Sequence, residues 1–296
     1  MWVAQDHYAI EDMEFSIRST DEAFLELVRG YLGPFLTEGG SDGNIFQVDA
    51  GQSKTLPGGK VVRQTANLFV GGIRIYCGPR WEDMAGRMIV GMRDMHSAYA
   101  NEFVRLRAVG AVLDGKATIL PSLPNPHLPT LAALLARGGA GYLGDEIVKL
   151  DPILREVHGI PFPILVDVSD LGLLPELHAR GRRPTPIDGD QSGNIHARTP
   201  RRPVPVEQVG GLRSTPAELG RIVFPVFRQG EETRIESIPS SEAVFRFLES
   251  LLNAHIWGER AMLLARDLVE TVPCEQIVIG SLPDAAELLL GDRVTA

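Results

Sequence analysis

Apolar and polar residues alternate over "MEFSIRS" (residues 13–19), the pattern of a half-buried strand. "TDEAFLELVRGYLG" follows with Phe24, Leu27, Val28 and Tyr31 on one helical face. Thr20 or Asp21 can cap that helix, and acids fill its first turn. "IFQVDA", "VVRQTANLFV" and "IRIYCG" read as strands joined by glycine-rich turns. "RWEDMAGRMIVGMRDMHSAYANEF" reads as a longer helix. Its Trp81, Met84, Met88 and Met92 recur near i, i+3/4 spacing, which predicts core packing.

From about Phe103 the texture changes. "VRLRAVGAVLDGKATILP" predicts two strands around the turn "LDGK", and "TLAALLARG" a short helix ending at Gly138. "AGYLGDEIVKLD", "REVHG" and "FPILVDV" read as short strands, and "GRIVFPVFR", "TRIESI" and "EQIVIG" as later ones. "SSEAVFRFLESLLNAHIW" and "GERAMLLARDLVETV" are amphipathic, with Ser240 or Ser241 as a cap; "PDAAELLL" is a last short helix. Between them, about residues 180–203 are rich in Pro, Gly and Arg without apolar period, which predicts a long mobile loop. Strands and helices interleave throughout, so the expected class is α/β, with an N-terminal α/β subdomain over 1–102 and a core over 103–296.

Composition narrows the function classes. The 296 residues carry a net charge of -9, which argues against a broad nucleic-acid or anionic-membrane surface. No apolar run approaches the roughly 20 residues of a membrane span. The N-terminus lacks a basic start followed by an apolar core, so no secretion signal is expected. Cys77 and Cys274 form no CxxC and sit in apolar contexts, which predicts two buried free thiols in a cytoplasmic protein.

The chemistry turns on residues 119–152, "ILPSLPNPHLPTLAALLARGGAGYLGDEIVKLDP". Strand, loop, helix, strand and an acidic pair follow one another there, the frame in which a glycine-rich loop cradles phosphate. Such a loop works through converging backbone N–H groups, a lysine and a magnesium-binding hydroxyl. Here the loop holds no glycine. Pro124, Pro126 and Pro129 each remove an N–H and push the residue before them toward extended geometry. Pro129 suits the first turn of the following helix, so the helix is expected to survive while the phosphate cradle is lost.

"RLRAVGAVLDGKATILP", "TLAALLARGGAGYLGDEIVKLDP" and "PFPILVD" together resemble the core of HPr-kinase-related proteins, most specifically over about residues 105–167. "FSIRSTDE", "IVFPVF" and the C-terminal helices extend the resemblance more weakly. It implies a P-loop-type core, a mixed sheet flanked by helices. In the resemblance Thr130 and Leu131 match the end of the phosphate loop. Asp145 and Glu146 match an acidic pair that serves magnesium and the acceptor hydroxyl, one acid acting as general base. Ser122 and His127 fall where the loop's two glycines belong, Leu128 where its lysine belongs and Pro129 where its first hydroxyl belongs. Arg107 stands where those proteins carry histidine; it can pair with Asp145 or Glu146, or serve as a phosphate cation.

The first expectation is therefore a pseudokinase that binds an unidentified protein or peptide partner, or a second copy of itself, with no cofactor. The alternative is an active Mg-ATP-dependent kinase for a hydroxyl acceptor. Asp145 would be its base, Glu146 its magnesium ligand, and Arg107, Thr130 and Lys149 would line the nucleotide. A third reading is different chemistry on the same fold. His127 reads as an exposed loop residue, and His158, His178, His196 and His255 show no metal-ligand spacing. Arg180, Arg182, Arg183, Arg198, Arg201 and Arg202 read as a solvated cluster able to grip an acidic partner.

Overall fold

A computed structural model describes residues 1–11, 13–40, 43–51, 53–55, 57, 61–63, 65–99, 101–160, 162–180 and 201–291. The protein is mixed α/β and divides into two compact units, residues 1–96 with 201–203, and residues 97–200 with 204–296. The division thus falls near the end of the second long helix rather than after it. Most of the loop expected over 180–203 lies outside the described residues. Among the described residues no helix is long and apolar enough to cross a membrane.

In the first unit β1 (Ala4–Ile10) and β2 (Met13–Ser19) run antiparallel, with Tyr8 opposite Phe15. The sequence reading missed β1, although Asp6, Tyr8 and Ile10 are buried at alternate positions in it. Helix α1 (Glu22–Leu32) is capped by Asp21, whose carboxylate accepts the Ala23 N–H at 3.0 Å. After β3 (Leu36–Thr37), β4 (Ile45–Asp49) and the pair β5 (Ser53–Thr55) and β6 (Val61–Arg63), strands β7 (Ala66–Val70) and β8 (Ile73–Gly78) complete a sheet ordered β3-β1-β2-β4-β7-β8. Tyr8 stacks on Phe15 at 5.3 Å and Phe46 meets Phe15 edge-on at 6.3 Å. The methionine stripe of α2 (Trp81–Tyr99) packs as expected, with Met84, Met88 and Met92 fully buried.

The thiols depart from expectation. Cys77 is exposed, because β8 is an edge strand whose residues 73–75 are also exposed. Cys274 is half-buried, and burial, with Glu275 beside it, pushes its thiol up to about 11.

The second unit is organised by one strand, β9 (Val104–Leu113). Asp114 and Gly115, both at positive φ (52° and 77°), turn it into β10 (Lys116–Pro121), which leads through the proline loop to α3 (Leu128–Arg137). Strands β11 (Gly141–Gly144) and β12 (Ile147–Leu150) then pair antiparallel with successive stretches of β9. Gly110 sits where they meet; a Cβ there would lie 2.7 Å from Val148 Cγ1. The chain continues through β13 (Glu156–His158), β14 (Ile164–Asp167), β15 (Arg201–Val204), β16 (Leu212–Arg213), β17 (Ala217–Phe227) and β18 (Arg234–Ser237). Then come α4 (Ser240–Glu249), α5 (Ala254–Trp257), α6 (Glu259–Thr271), β19 (Cys274–Ile279) and α7 (Leu282–Leu290). The sheet order is β16-β11-β9-β12-β13-β17-β19-β18, and β10 pairs with both β9 and β17, so β9, β12, β13, β17 and β10 close a ring. Pro225 is tolerated in β17 because β10 has already ended its pairing at Ile222.

Alternation along β9 sorts its side chains between two cores. Val104, Leu106 and Ala108 join Val148, Leu150, Phe224 and Phe247. Val109 and Ala111 face the opposite way, with α3, α7 and β14. Arg105 and Arg107 share this second face.

The helix expected over 240–257 breaks at Ser250–Asn253, and no side chain caps its start, Pro239 being the capping residue. The break is held by β9: Leu251 bridges Leu106, and Leu252 N–H donates to Arg105 O at 2.9 Å. Buried Asn253 accepts the Arg105 N–H at 2.9 Å and donates to Phe103 O at 2.9 Å. Tertiary pairing here outweighs helical periodicity.

Phe247→Ala empties the centre of the ring's core and is expected to cost about 3–5 kcal/mol in chemical denaturation. A thiol reagent at neutral pH is expected to modify Cys77 well before Cys274. Equal rates in the native protein would contradict the placement of both.

Candidate functional site

The strand–loop–helix frame is present, and the loop inside it runs open. No residue from Lys116 to Gly138 has positive φ, so the alternation that curls backbone N–H groups into an anion cradle is missing. Three donors near the loop are engaged locally. Ser122 N–H donates to Arg107 O at 3.0 Å, and His127 N–H to Asn125 Oδ1 at 2.9 Å. Leu131 N–H donates to His127 O at 3.1 Å and opens the helix.

A carboxylate of the protein itself stands at the helix start. Asp170 Oδ2 accepts the Thr130 hydroxyl at 2.8 Å and lies 2.9 Å from His127 Nδ1. Negative charge is favourable at a helix N-terminus, and Asp170 supplies it at the start of α3. His127 is thereby fixed in orientation, with its ring against Phe227 at 5.9 Å. Next to it Asp167 caps the short helix that follows β14, its Oδ1 accepting from Ser169 N–H at 2.8 Å and Ser169 Oγ at 2.6 Å. Asp167 Oδ2 is buried without a hydrogen-bond partner. A His–Asp pair in this geometry can move a proton through the ring's second nitrogen.

The acidic pair sits where β11 passes into β12 along β9. Asp145 is 2% exposed; its Oδ1 accepts the Tyr142 hydroxyl at 3.0 Å and its Oδ2 the Leu165 N–H at 2.9 Å. Those bonds tie β11 to β14. Glu146 lies 3.7 Å from Arg107, the structural pairing expected for that arginine. Lys149 lies two residues further along the same face than Ile147, buried, with Nζ 5.1 Å from the Phe103 ring centroid. It stands opposite Arg105, whose guanidinium burial pushes down. Arg107 on β9, Glu146 just before β12 and Lys149 on β12 thus lie near one another, whereas Thr130 belongs to the Asp170 cluster. Among the described residues, no group of three or more His, Cys, Asp or Glu side chains is assembled to hold a metal ion.

Sequence reasoning missed Asp167 and Asp170. A signal for both existed: "ILVD" is a buried strand ending in an acid, and "VDVSD" repeats the acid one helical turn on.

No protein-family model matches this chain, and no curated protein matches it.

Thr130→Val removes the hydroxyl and leaves Asp170 under-bonded. It is expected to cost about 1–3 kcal/mol in denaturant unfolding, whereas Thr130→Ser retains most of the stability. Equal stability of the two variants would show that the hydroxyl–carboxylate bond contributes nothing.

Proposed function

We propose that this chain is an HPr-kinase-like pseudokinase, a cytoplasmic binding or regulatory subunit built on a P-loop-type core whose phosphate site has been lost. The observation that carries the reading is the Pro121–Pro129 loop. It holds the position of a phosphate loop but has no left-handed residue, no lysine and four prolines. At the start of the helix after it stands a carboxylate of the protein's own, Asp170, which accepts the Thr130 hydroxyl. The acidic pair is compatible with the same reading: Asp145 accepts from Tyr142 and Leu165, and Glu146 lies 3.7 Å from Arg107. The retained acids then serve architecture, and function rests on what the surface binds.

Incubation with γ-labelled ATP, magnesium and hydroxyl acceptors tests this. No transfer above background is expected. Asp145→Ala is expected to destabilise the protein by about 1–3 kcal/mol for each buried donor it strands. Transfer that Asp145→Ala abolishes with the fold intact would instead assign an active kinase.

A further inference from the structure

One face of the first unit's sheet carries its core: Tyr8, Phe15, Ile17, Phe46, Val48 and Leu68 are fully buried. Alternation puts the intervening residues on the opposite face. There the pairing register sets one row across five strands. Gln5 on β1 is opposite Arg18 on β2, and Arg18 is beside Gln47 on β4. Gln47 is opposite Phe69 on β7, and Phe69 is opposite Arg74 on β8. Gln5 and Arg74 are exposed, while Arg18, Gln47 and Phe69 are half-buried.

Two other arginines of this unit meet acids: Arg29 bonds Asp6 at 2.7 Å, and Arg80 lies 3.6 Å from Asp83. Arg18 and Arg74 do not. Neither forms an ion pair, although the chain has a net charge of -9. The Arg18 guanidinium stacks on the Trp2 ring, 4.7 Å from its centroid, which fixes its plane and leaves its edge for an acceptor. Its Nε–H is buried without a hydrogen-bond partner, so its donor capacity is unmet within the chain. Asp49, two residues along β4 from Gln47, and Glu14, four residues along β2 from Arg18, share the face and are exposed. With the net charge, they disfavour a continuous polyanion such as a nucleic-acid strand. What fits is a ligand whose negative charges are single and spaced.

We propose that this face docks an acidic peptide segment of a protein partner, laid across the strands. Neighbouring strands lie about 4.8 Å apart, so Arg18 and Arg74 stand roughly 14 Å apart across three spacings. An extended peptide rises about 3.3 Å per residue, so carboxylates about four residues apart reach both arginines. The residue midway between them points the same way and meets Phe69, which selects an apolar side chain there. A guanidinium fork matches a carboxylate bidentately, and the Gln47 amide both donates to and accepts from peptide groups. The inference does not rest on the pseudokinase reading, because the row belongs to the unit that lacks the phosphate frame.

The test is fluorescence anisotropy on the full chain with three labelled probes. These are a peptide containing Glu-Ser-Leu-Ser-Glu, the same peptide with both glutamates replaced by glutamine, and a short oligouridylate. The acidic peptide is expected to saturate in the high-micromolar to millimolar range, more weakly as salt rises. The glutamine peptide is expected to bind about tenfold more weakly, having lost both ion pairs. Arg74→Gln is expected to weaken the acidic peptide about two- to fivefold, the scale of one exposed pair. Arg74 is exposed and makes no ion pair, so this variant is expected to fold, and Arg18→Gln gives a second comparison. Absence of saturation, equal binding of the two peptides, or binding undiminished in both folded variants overturns the proposal. So does tighter binding of the oligouridylate. None of these results bears on γ-phosphate transfer.

Discussion

The larger unit depends on the double use of Val104–Leu113. One edge of this strand takes β12 and then β11; the other takes residues 250–252 and then β10. Its alternation fills the ring's core with Val104, Leu106 and Ala108 and the helix-facing core with Val109 and Ala111. The same alternation leaves Arg105 and Arg107 on the helix-facing side, past the reach of β10. Slipping the register by one residue would drive both arginines into the ring and is strongly disfavoured. The placement of these arginines is therefore a consequence of how the cores are built.

A second consequence follows at the start of α3. A phosphate loop keeps its helix open to an anion from outside. Here a carboxylate of the protein stands at the helix start, with Asp170 bonded to the Thr130 hydroxyl and beside His127, and Pro129 supplies a first-turn residue that needs no partner for a missing N–H. Asp145 has a comparable role in the neighbouring strands, joining Tyr142 to Leu165. Buried carboxylates that accept two donors each are structural anchors, because removing either strands groups that cannot reach water.

Most elements were legible wherever periodicity and turn chemistry agreed: the Met84–Met88–Met92 stripe, the Asp114–Gly115 turn and the Asp21 cap are local statements. Where long-range pairing decides, the sequence was silent. The break at Ser250–Asn253 follows from hydrogen bonds to β9, more than a hundred residues distant. Cys77 is exposed because its strand ends a sheet, which periodicity alone cannot show. At the site, the proline loop could be read directly, and Arg107 stands beside one of the two acids considered for it. The Asp170 cluster joins residues forty positions apart, and its pairing with Thr130 becomes visible only in the fold.

The central claim, that the phosphate loop has been lost as a binding device, is tested most directly by titrating Mg-ATP into the full chain calorimetrically. Losing about 4 kcal/mol of loop, lysine and metal contacts weakens binding roughly a thousandfold. The account predicts no saturable heat below about 1 mM nucleotide. One-to-one binding in the micromolar range would contradict it.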